Sequence, residues 1–513
     1  MKMIIKSRHT VIVALAVTLT MFATSCADKL DEPALNVRLA SETDYTKTQN
    51  MIRPLIGAYA EFYTRGWEDY PLISVRGDDV NAGGRGDQQA FGDTDLYKYD
   101  NSYWMYNSVW QNLLKDILVM ESTREQIERY KEFAPNPALA DQYIAESKVM
   151  RAFLLLQWSR VWGDIIIPKS SNLEDLFAVP LSTKEEVMQH ISDQMDEAIP
   201  LLPTVHPRDR ADIVGGVTRH TALGIKALAN LEMGKFQAVA DATGEIITSG
   251  KFKLETDYYN LFKIPGKLSQ ENLLELQYSD LGTGSGTSFS YLFAFFGPEN
   301  WTPKVTGASS GWGFYEPSMK WIKFMLKRGE TERLETSVLF TNRGITEIKK
   351  DPEFATLPAF VKNVTRSGDQ INDFNREMFA SGKHYLPSDQ LTSGRTAYGE
   401  NKNFICLRYA EILLMHAEAL TSGANSSAMT ADAAVNAVRA RANMTPLSGV
   451  TNAQVMDEKF AELAMEWGTR YFDMIRLKKY DELSYDGRTF SEDKAYLPYP
   501  QGQVDRLPVL KPQ

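Results

Sequence analysis

Residues 406–420 read Cys-Leu-Arg-Tyr-Ala-Glu-Ile-Leu-Leu-Met-His-Ala-Glu-Ala-Leu, and this stretch decides the fold. Apolar residues recur in it at steps of three and four, which predicts one helical face: Leu407, Ala410, Leu414 and Ala417. Further apolar side chains cover most of the remaining circumference. We therefore expect a buried helix.

Three charged residues of this stretch, Arg408, Glu411 and Glu418, fall within one narrow arc of the predicted helix. A buried helix keeps such an arc only if its charges meet partners. Residues 431–442 follow a short loop containing Gly, Asn and Ser and read as a second, antiparallel helix with arginines near its end. Those arginines, Arg439 and Arg441, are the expected partners of the glutamates in a structural ion-pair network.

The last strong helical pattern covers residues 456–479. Its charged residues fall within about 120° around a helix axis: Glu462, Glu466, Arg470, Asp473 and Arg476. Glu466 and Arg470 stand four residues apart in the favourable orientation for a pair. We assign Glu466, Arg470 and Asp473 to the same network.

Several stretches are similar to one known family. Leu-Arg-Tyr-Ala-Glu-Ile-Leu-Leu-Met-His-Ala-Glu-Ala followed by Asn-Ala-Val-Arg-Ala-Arg-Ala closely resembles the signature of SusD/RagB lipoproteins. Glu-Trp-Gly-Thr-Arg-Tyr-Phe-Asp-Met-Ile-Arg and Gly-Trp-Gly-Phe-Tyr-Glu-Pro resemble further family segments. The resemblance is strong at 406–442 and 458–476, moderate at 146–203 and loose at 341–403. It implies a non-enzymatic surface protein that captures an oligosaccharide or other nutrient for a SusC-like TonB-dependent transporter barrel.

The expected fold is mainly α, with tetratricopeptide-like helical hairpins at 139–200, 218–250 and 405–443. Ala227, Gly234 and Phe236 match the small, small and aromatic positions of such a repeat. We divide the chain into a signal peptide, an acylated cysteine with a flexible tether, and a single SusD-like domain: 1–25, 26–45 and 46–513. The domain consists of a helical scaffold, 46–278 and 404–480, and loop-rich insertions with short strands that carry the binding face, 64–101, 279–318 and 341–403.

The N-terminus has the pattern of a lipoprotein leader. Basic residues precede an apolar run at 11–23, which is too short to span a bilayer. Small residues then lead to Cys26, which resembles a lipobox with Ala23 in the place of its usual Leu. We expect lipidation at Cys26 and an anchor in the outer membrane, facing the cell exterior.

Composition narrows the classes of function. The chain has 513 residues and a formal net charge of -10, which argues against a nucleic-acid partner. With Cys26 acylated, Cys406 has no disulfide mate and is expected to be a buried small residue at a helix start. Six scattered histidines lack ligand spacing, so we predict no metal and no cofactor. Calcium at the Asp-rich loop 78–95 stays open.

Large aromatic residues in the Gly-rich segments are the candidate ligand-binding residues, because ring faces pack against the apolar face of a sugar. They are Trp301, Trp312, Trp67, Tyr70 and Tyr291, with Asp78 and Arg85 to bond hydroxyls. Trp301 is the first choice because Pro298 and Pro303 bracket it and stiffen its loop. Burial of two or three rings permits only weak binding, millimolar to micromolar.

Two alternatives remain. The chain could be a helical-repeat surface scaffold that binds only protein partners. It could also, more remotely, be a glycoside hydrolase, since Glu462 and Glu466 could stand at a carboxylate spacing of about 5–9 Å. Arginines on the same predicted face would keep both ionised, whereas a general acid needs a raised pKa. The identity of the ligand, whether polysaccharide, host glycan or peptide, stays open.

Overall fold

A computed structural model describes residues 43–65, 68–83, 88–279, 292–391 and 401–511. The chain divides into two units, Met1–Asn50 and Met51–Gln513. In the first unit the described residues include one 3-10 turn, Thr48–Asn50. The second unit contains every element discussed below. None of the helices within these ranges is both long and apolar enough to cross a membrane.

Helices dominate the second unit. Numbered in chain order, they are α1 Ile52–Tyr63, α2 Asp69–Ser74, α3 Gln89–Asp95, α4 Trp104–Lys131, α5 Pro137–Trp162, α6 Lys184–Ala198, α7 Arg219–Glu232, α8 Phe236–Thr248, α9 Tyr258–Leu261, α10 Leu292–Phe296, α11 Met319–Lys327, α12 Glu332–Ser337, α13 Asn342–Ile348, α14 Tyr409–Thr421, α15 Ala431–Arg441, α16 Asn452–Leu463, α17 Thr469–Arg476, α18 Tyr480–Leu483 and α19 Gln501–Val504. Short 3-10 helices include Leu173–Ala178 and Ser388–Gln390.

The strands are short and pair two by two, always antiparallel. They are β1 Val80–Ala82 with β6 Tyr315–Pro317, β2 Ile165–Ile166 with β3 Leu181–Ser182, β4 Asn272–Leu276 with β10 Phe404–Arg408, β5 Trp301–Thr302 with β8 Gln370–Ile371, and β7 Val338–Phe340 with β9 Phe379–Ser381.

Helices adjacent in sequence pack on one another from α4 to α8, and α14 then packs on α8, α15 and α16. The predicted helical hairpins are therefore confirmed. A capping box at Thr183 and Glu186 starts α6, because each residue's side chain bonds the other's backbone N–H. Trp110 of α4 meets Trp158 of α5 edge to face at 4.7 Å between ring centroids, and neither side chain is exposed.

The central stretch is a strand followed by a helix. Phe404–Arg408 pairs with Asn272–Leu276, and α14 begins only at Tyr409. Every residue of β10 is buried, and a short buried strand carries the same apolar run as a buried helix. Cys406 is buried as expected, but it lies in this strand and not at a helix start.

The prediction of one continuous helix over 456–479 was wrong, because this stretch contains parts of two helices, α16 and α17. Chain direction changes between Leu463 and Thr469, where Met465, Trp467 and Gly468 have positive φ angles of 65°, 47° and 70°. Tertiary hydrogen bonds to residues far upstream hold this turn. Met465 N–H donates to Asp79 Oδ2 at 2.6 Å, and Trp467 N–H donates to Tyr70 Oη at 2.8 Å.

That turn changes the ion pairs. Glu466 does not contact Arg470, because it pairs with Arg408 at 2.7 Å while Arg470 pairs with Asp78 at 2.7 Å. Arg408 also reaches Glu462 at 2.6 Å. Burial alone would raise the pKa of Glu462, but the surrounding arginines outweigh it and lower that pKa: Arg441, Arg408 and Arg333.

The partners predicted for the glutamates of α14 need correction. Glu418 pairs with Arg476 at 2.6 Å and with Lys459 at 3.1 Å, not with Arg439 or Arg441. The remaining assignments are Arg439 with Glu458, Arg441 with Glu271 and Glu462, and Asp473 with Lys459 and Arg476.

Glu411 forms no ion pair with any described residue. Burial raises its pKa to about 7, partly offset by the charges of Lys459 and Arg160. The helical arc therefore did not identify the true partners. The partners of Glu418 come from α16 and α17, whose relative placement is set by the turn between them, and local periodicity does not reveal that turn.

The insertions also hold more regular structure than expected. Segment 64–101 contains α2, β1 and α3, and every residue of Asp69–Ser74 is buried. Such short helices give no periodic signal that distinguishes them from a loop. Short strands do occur in 279–318 and 341–403, as predicted.

Candidate functional site

The pairing of β1 with β6 brings two of the predicted insertions together. Val80 lies opposite Pro317, and Ala82 lies opposite Tyr315. Gly83 N–H extends the pairing by donating to Phe314 O at 3.0 Å. Segments 64–101 and 279–318 are thus neighbours, although more than two hundred residues separate the two strands.

A cleft of about 510 Å³ opens beside these strands. Its walls come from α3, β6, α13, the segment before β9 and the chain after α18. The polar residues that line it are Asn81, Gln89, Asp95, Glu316, Arg343, Glu347, Asn375, Arg376, Asp486 and Arg488. A volume of this size accommodates a small ligand.

One wall of the cleft is a fixed polar cluster. Arg488 donates to Asp95 Oδ2 at 2.7 Å and to Asn81 Oδ1 at 2.9 Å. Asp95 also accepts from Ala82 N–H at 3.0 Å, so both of its oxygens are occupied. Burial raises the pKa of Asp95, and the charge of Arg488 offsets part of that rise. These planar groups are held in place before any ligand arrives.

Glu316 forms the floor next to this cluster. Its carboxylate accepts from Met378 N–H at 2.8 Å and from Phe379 N–H at 3.1 Å. Burial nevertheless raises the pKa of Glu316 to about 7. Near neutral pH this carboxyl can therefore both donate and accept hydrogen bonds.

Two arginines line the other wall. Arg343 donates to the Glu377 carbonyl, and no carboxylate of the described residues lies within 4.0 Å of it. Arg376 donates to Trp312 O at 2.9 Å and lies over the Phe314 ring, 4.3 Å from its centroid. The half-buried Trp312 is in this way tied to the edge of the cleft.

The structure removes three predicted site residues from the accessible surface. Tyr70 is 1% exposed, and its hydroxyl is bonded to Met465 O and Trp467 N–H. Asp78 is fully buried against Arg470 and Lys320. Trp301 is 8% exposed in β5 and meets the Tyr385 ring edge to face at 6.1 Å.

Trp67, Arg85 and Tyr291 lie outside the described residues. None of the predicted ligand-binding residues within the described ranges lines the cleft, and only Trp312 is bonded to a lining residue, through its carbonyl and Arg376. Sequence reasoning missed Arg343, Arg376 and Arg488, which come from segments without motif or periodicity. Glu316 did stand in the Gly-Trp-Gly-Phe-Tyr-Glu-Pro segment, which was the one available signal.

Comparisons with known proteins define the class. Residues 270–513 match the SusD family model. A SusD-like protein of Bacteroides ovatus is 25% identical over 502 residues, covering 94% of this chain and 84% of that protein. The recognition made from the sequence is confirmed as a similarity: residues 270–513 match the SusD family model, and 94% of the chain aligns with a SusD-like protein.

Solved structures share the fold. A laminarin-binding SusD-like protein superposes with a TM-score of 0.73 at 19% identity, covering 90% of this chain and 97% of that one. Surface glycan-binding protein A from Bacteroides thetaiotaomicron, in complex with laminarihexaose, gives a TM-score of 0.72 at 21% identity, covering 91% and 99%. The predicted fold class, mainly α with short strands, is confirmed.

Proposed function

We propose that this protein captures an oligosaccharide in the cleft beside β1 and β6. The observation that carries the proposal is the Asn81–Asp95–Arg488 cluster, whose hydrogen bonds fix donors and acceptors on a cleft wall. Sugar hydroxyls pair well with carboxylates, amides and guanidinium groups, and pre-organised groups bind at a smaller entropic cost. Trp312, whose backbone carbonyl accepts from Arg376 of the cleft wall, is the aromatic residue that we propose for the rim.

The cleft suits binding better than hydrolysis. A glycosidase needs one protonated and one free carboxyl flanking the scissile bond. Glu316, with its raised pKa, could serve as the acid, but both oxygens of Asp95 are already engaged by Arg488 and Ala82 N–H. The other two carboxylates of the lining also face cations: Glu347 pairs with Lys350 at 2.6 Å, and Asp486 lies 3.9 Å from Arg488. The alternative candidates, Glu462 and Glu466, are held ionised by arginines in the core. We infer a non-enzymatic protein.

Binding tests use laminarihexaose first, since a protein of the same fold is known with it, and then a glycan panel by isothermal titration calorimetry. The double variant Gln89→Ala/Asn375→Ala removes two exposed cleft side chains. We expect it to weaken binding of whichever glycan binds by about 1–3 kcal/mol. The matched control is Phe133→Ala, which removes an aromatic side chain that is 52% exposed after α4. Full-strength binding by the double variant would place the glycan elsewhere.

We further propose that Cys26 anchors the protein to the exterior of the outer membrane and that a SusC-like barrel receives the glycan. A separate surface favours a protein partner. Leu173 and Phe177 are 63% and 67% exposed on one 3-10 helix, and a groove of about 460 Å³ lies beside Leu173. Exposed large apolar groups of this kind mark protein interfaces.

The partner is tested by co-purification of a barrel transporter with tagged protein from outer membranes. The transporter should not co-purify with the Leu173→Asp/Phe177→Asp variant, because the proposed contact surface has become charged. It should still co-purify with Leu139→Asp, which changes another exposed leucine. A barrel that co-purifies with a chain that binds no glycan would favour the protein-only scaffold.

A further inference from the structure

We propose that a second cleft, between α4, α5 and α6, binds a small amphipathic anion: an apolar body with one carboxylate or sulfonate group. The cleft has a volume of about 500 Å³, within the range of small-molecule sites. It shares no lining residue with the proposed glycan cleft, so each proposal can be tested independently of the other.

The walls of this second cleft are largely apolar. Most of the accessible wall area is apolar, and the apolar lining residues are Met120, Ile144, Ile167, Pro168, Val179 and Pro180. A fully hydroxylated sugar would leave its hydroxyls unpaired against such walls, which costs free energy. An occupant with a hydrocarbon or aromatic body is the better match.

Arg151 anchors the polar side of the cleft. It is 6% exposed and is held from three directions. Its Nε lies 2.5 Å from Glu121 Oε1, its Nη2 donates to Pro168 O at 2.6 Å, and its Nη1 lies 3.1 Å from His190 Nε2. The guanidinium is therefore a rigid positive charge at the cleft surface.

His190 supplies a hydrogen-bond donor. Burial and the charge of Arg151 lower the pKa of His190 to about 4, so the ring is neutral near pH 7. A guanidinium can only donate, so Nε2 of the ring accepts and Nδ1 carries the proton. No described residue accepts a hydrogen bond from Nδ1–H.

The cationic side chains that line the second cleft outnumber its carboxylates, which favours an anionic ligand. The lining contains four cationic side chains, Arg124, Lys148, Arg151 and Lys169, against two carboxylates. Both carboxylates, Glu121 and Glu128, are already paired with the two arginines. Lys148 pairs with Glu197 outside the lining at 2.6 Å, so the remaining lining cation is Lys169. Lys169 is exposed and has no carboxylate within 4.0 Å among the described residues. An anionic group at this place would pair with the Lys169 ammonium group and accept a hydrogen bond from His190 Nδ1–H.

A matched pair of fluorescent probes tests this inference on the full chain. Anilinonaphthalene sulfonate carries the sulfonate, and phenylnaphthylamine has the same rings without it. We expect saturable binding of the sulfonate, several-fold tighter than that of the neutral probe and weaker in high salt. Lys169→Glu should weaken sulfonate binding about fivefold or more and leave the neutral probe unchanged.

Two further variants locate the site. Ile167→Asp, in the apolar wall, should weaken binding of both probes, with folding checked by the melting temperature. Lys251→Glu makes the same charge change at an exposed residue outside the cleft and should alter neither. Equal affinity for the two probes, equal effects of the two lysine variants, or no saturable sulfonate binding at millimolar concentration would each overturn the proposal.

Discussion

Arg408 and Glu462 are 54 residues apart in the chain, yet Arg408 Nη1 lies 2.6 Å from Glu462 Oε1. Both side chains are at most 1% exposed. The contact joins the end of β10 to α16, and Glu466 and Glu271 complete the coordination of the same guanidinium. The strand β10, the helix α16, the turn before α17 and the residue preceding β4 thus converge on one buried cation.

Arg408→Ala should therefore destabilise the protein strongly. The substitution leaves buried carboxylates without their common partner, at a cost of about 3–5 kcal/mol. Urea unfolding measures the loss. Arg366→Ala is the control, because the Arg366 and Asp257 side chains are 44% and 29% exposed and such pairs contribute about 0–1 kcal/mol. Equal losses in the two variants would contradict a special role for the buried network.

Glu418→Ala should lower the melting temperature sharply and leave glycan affinity unchanged in the folded fraction. Lys459 and Arg476 would both lose a buried partner, again at about 3–5 kcal/mol. Glu197→Ala breaks an ion pair in which the glutamate is 57% exposed, and it should change stability little. A stable Glu418→Ala protein without binding would instead make α14 part of the functional site.

Glu411→Gln should stabilise the protein at alkaline pH. The folded-state pKa of Glu411, about 7, lies above the ordinary value of 4.5. Between those values the folded state binds more protons than the unfolded state, so the free energy of unfolding decreases as pH rises. The variant should remove this decrease, which is on the order of 3 kcal/mol above pH 7.

The measurement is the free energy of unfolding of Glu411→Gln and wild type from pH 4 to pH 8. The exposed Glu185→Gln substitution on α6 is the control and should follow wild type throughout. If the free energy of unfolding changes with pH in the same way for Glu411→Gln and wild type, folding does not raise the pKa of Glu411 and the prediction is refuted.

Trp301→Ala should cost stability and not binding, which reverses the expectation drawn from its flanking prolines. Truncation of a buried aromatic typically costs about 3–5 kcal/mol, and Trp301 is 8% exposed. The half-buried Trp312 is the matched comparison: Trp312→Ala should weaken glycan binding with a smaller shift in melting temperature. Calorimetric binding and thermal melts of both variants decide between the two tryptophans.

Cys26→Ala should release the protein from the membrane fraction, since an acyl chain on Cys26 is the proposed anchor. Immunoblots of membrane and soluble fractions measure the distribution. Cys406→Ala is the control, because Cys406 is buried in β10 and should not affect attachment. A Cys26→Ala protein that stays fully membrane-bound would refute the anchor.

The sequence alone determined the family resemblance, the helical hairpins and the burial of the central stretch. Those properties follow from the local periodicity of apolar residues and from motifs within single segments, as in α5, α7 and α14. The capping box at Thr183 belongs to the same class, because its partners are three residues apart.

Only the tertiary structure decided which charges meet and where the cleft lies. Glu466 turns to Arg408 because Asp79 and Tyr70, almost 400 residues earlier, hold the left-handed turn before α17. The cleft walls come from segments between residues 81 and 488 that share no pattern. Long-range packing sets such contacts, and a linear pattern records the polarity of a side chain but not the neighbour that folding brings to it.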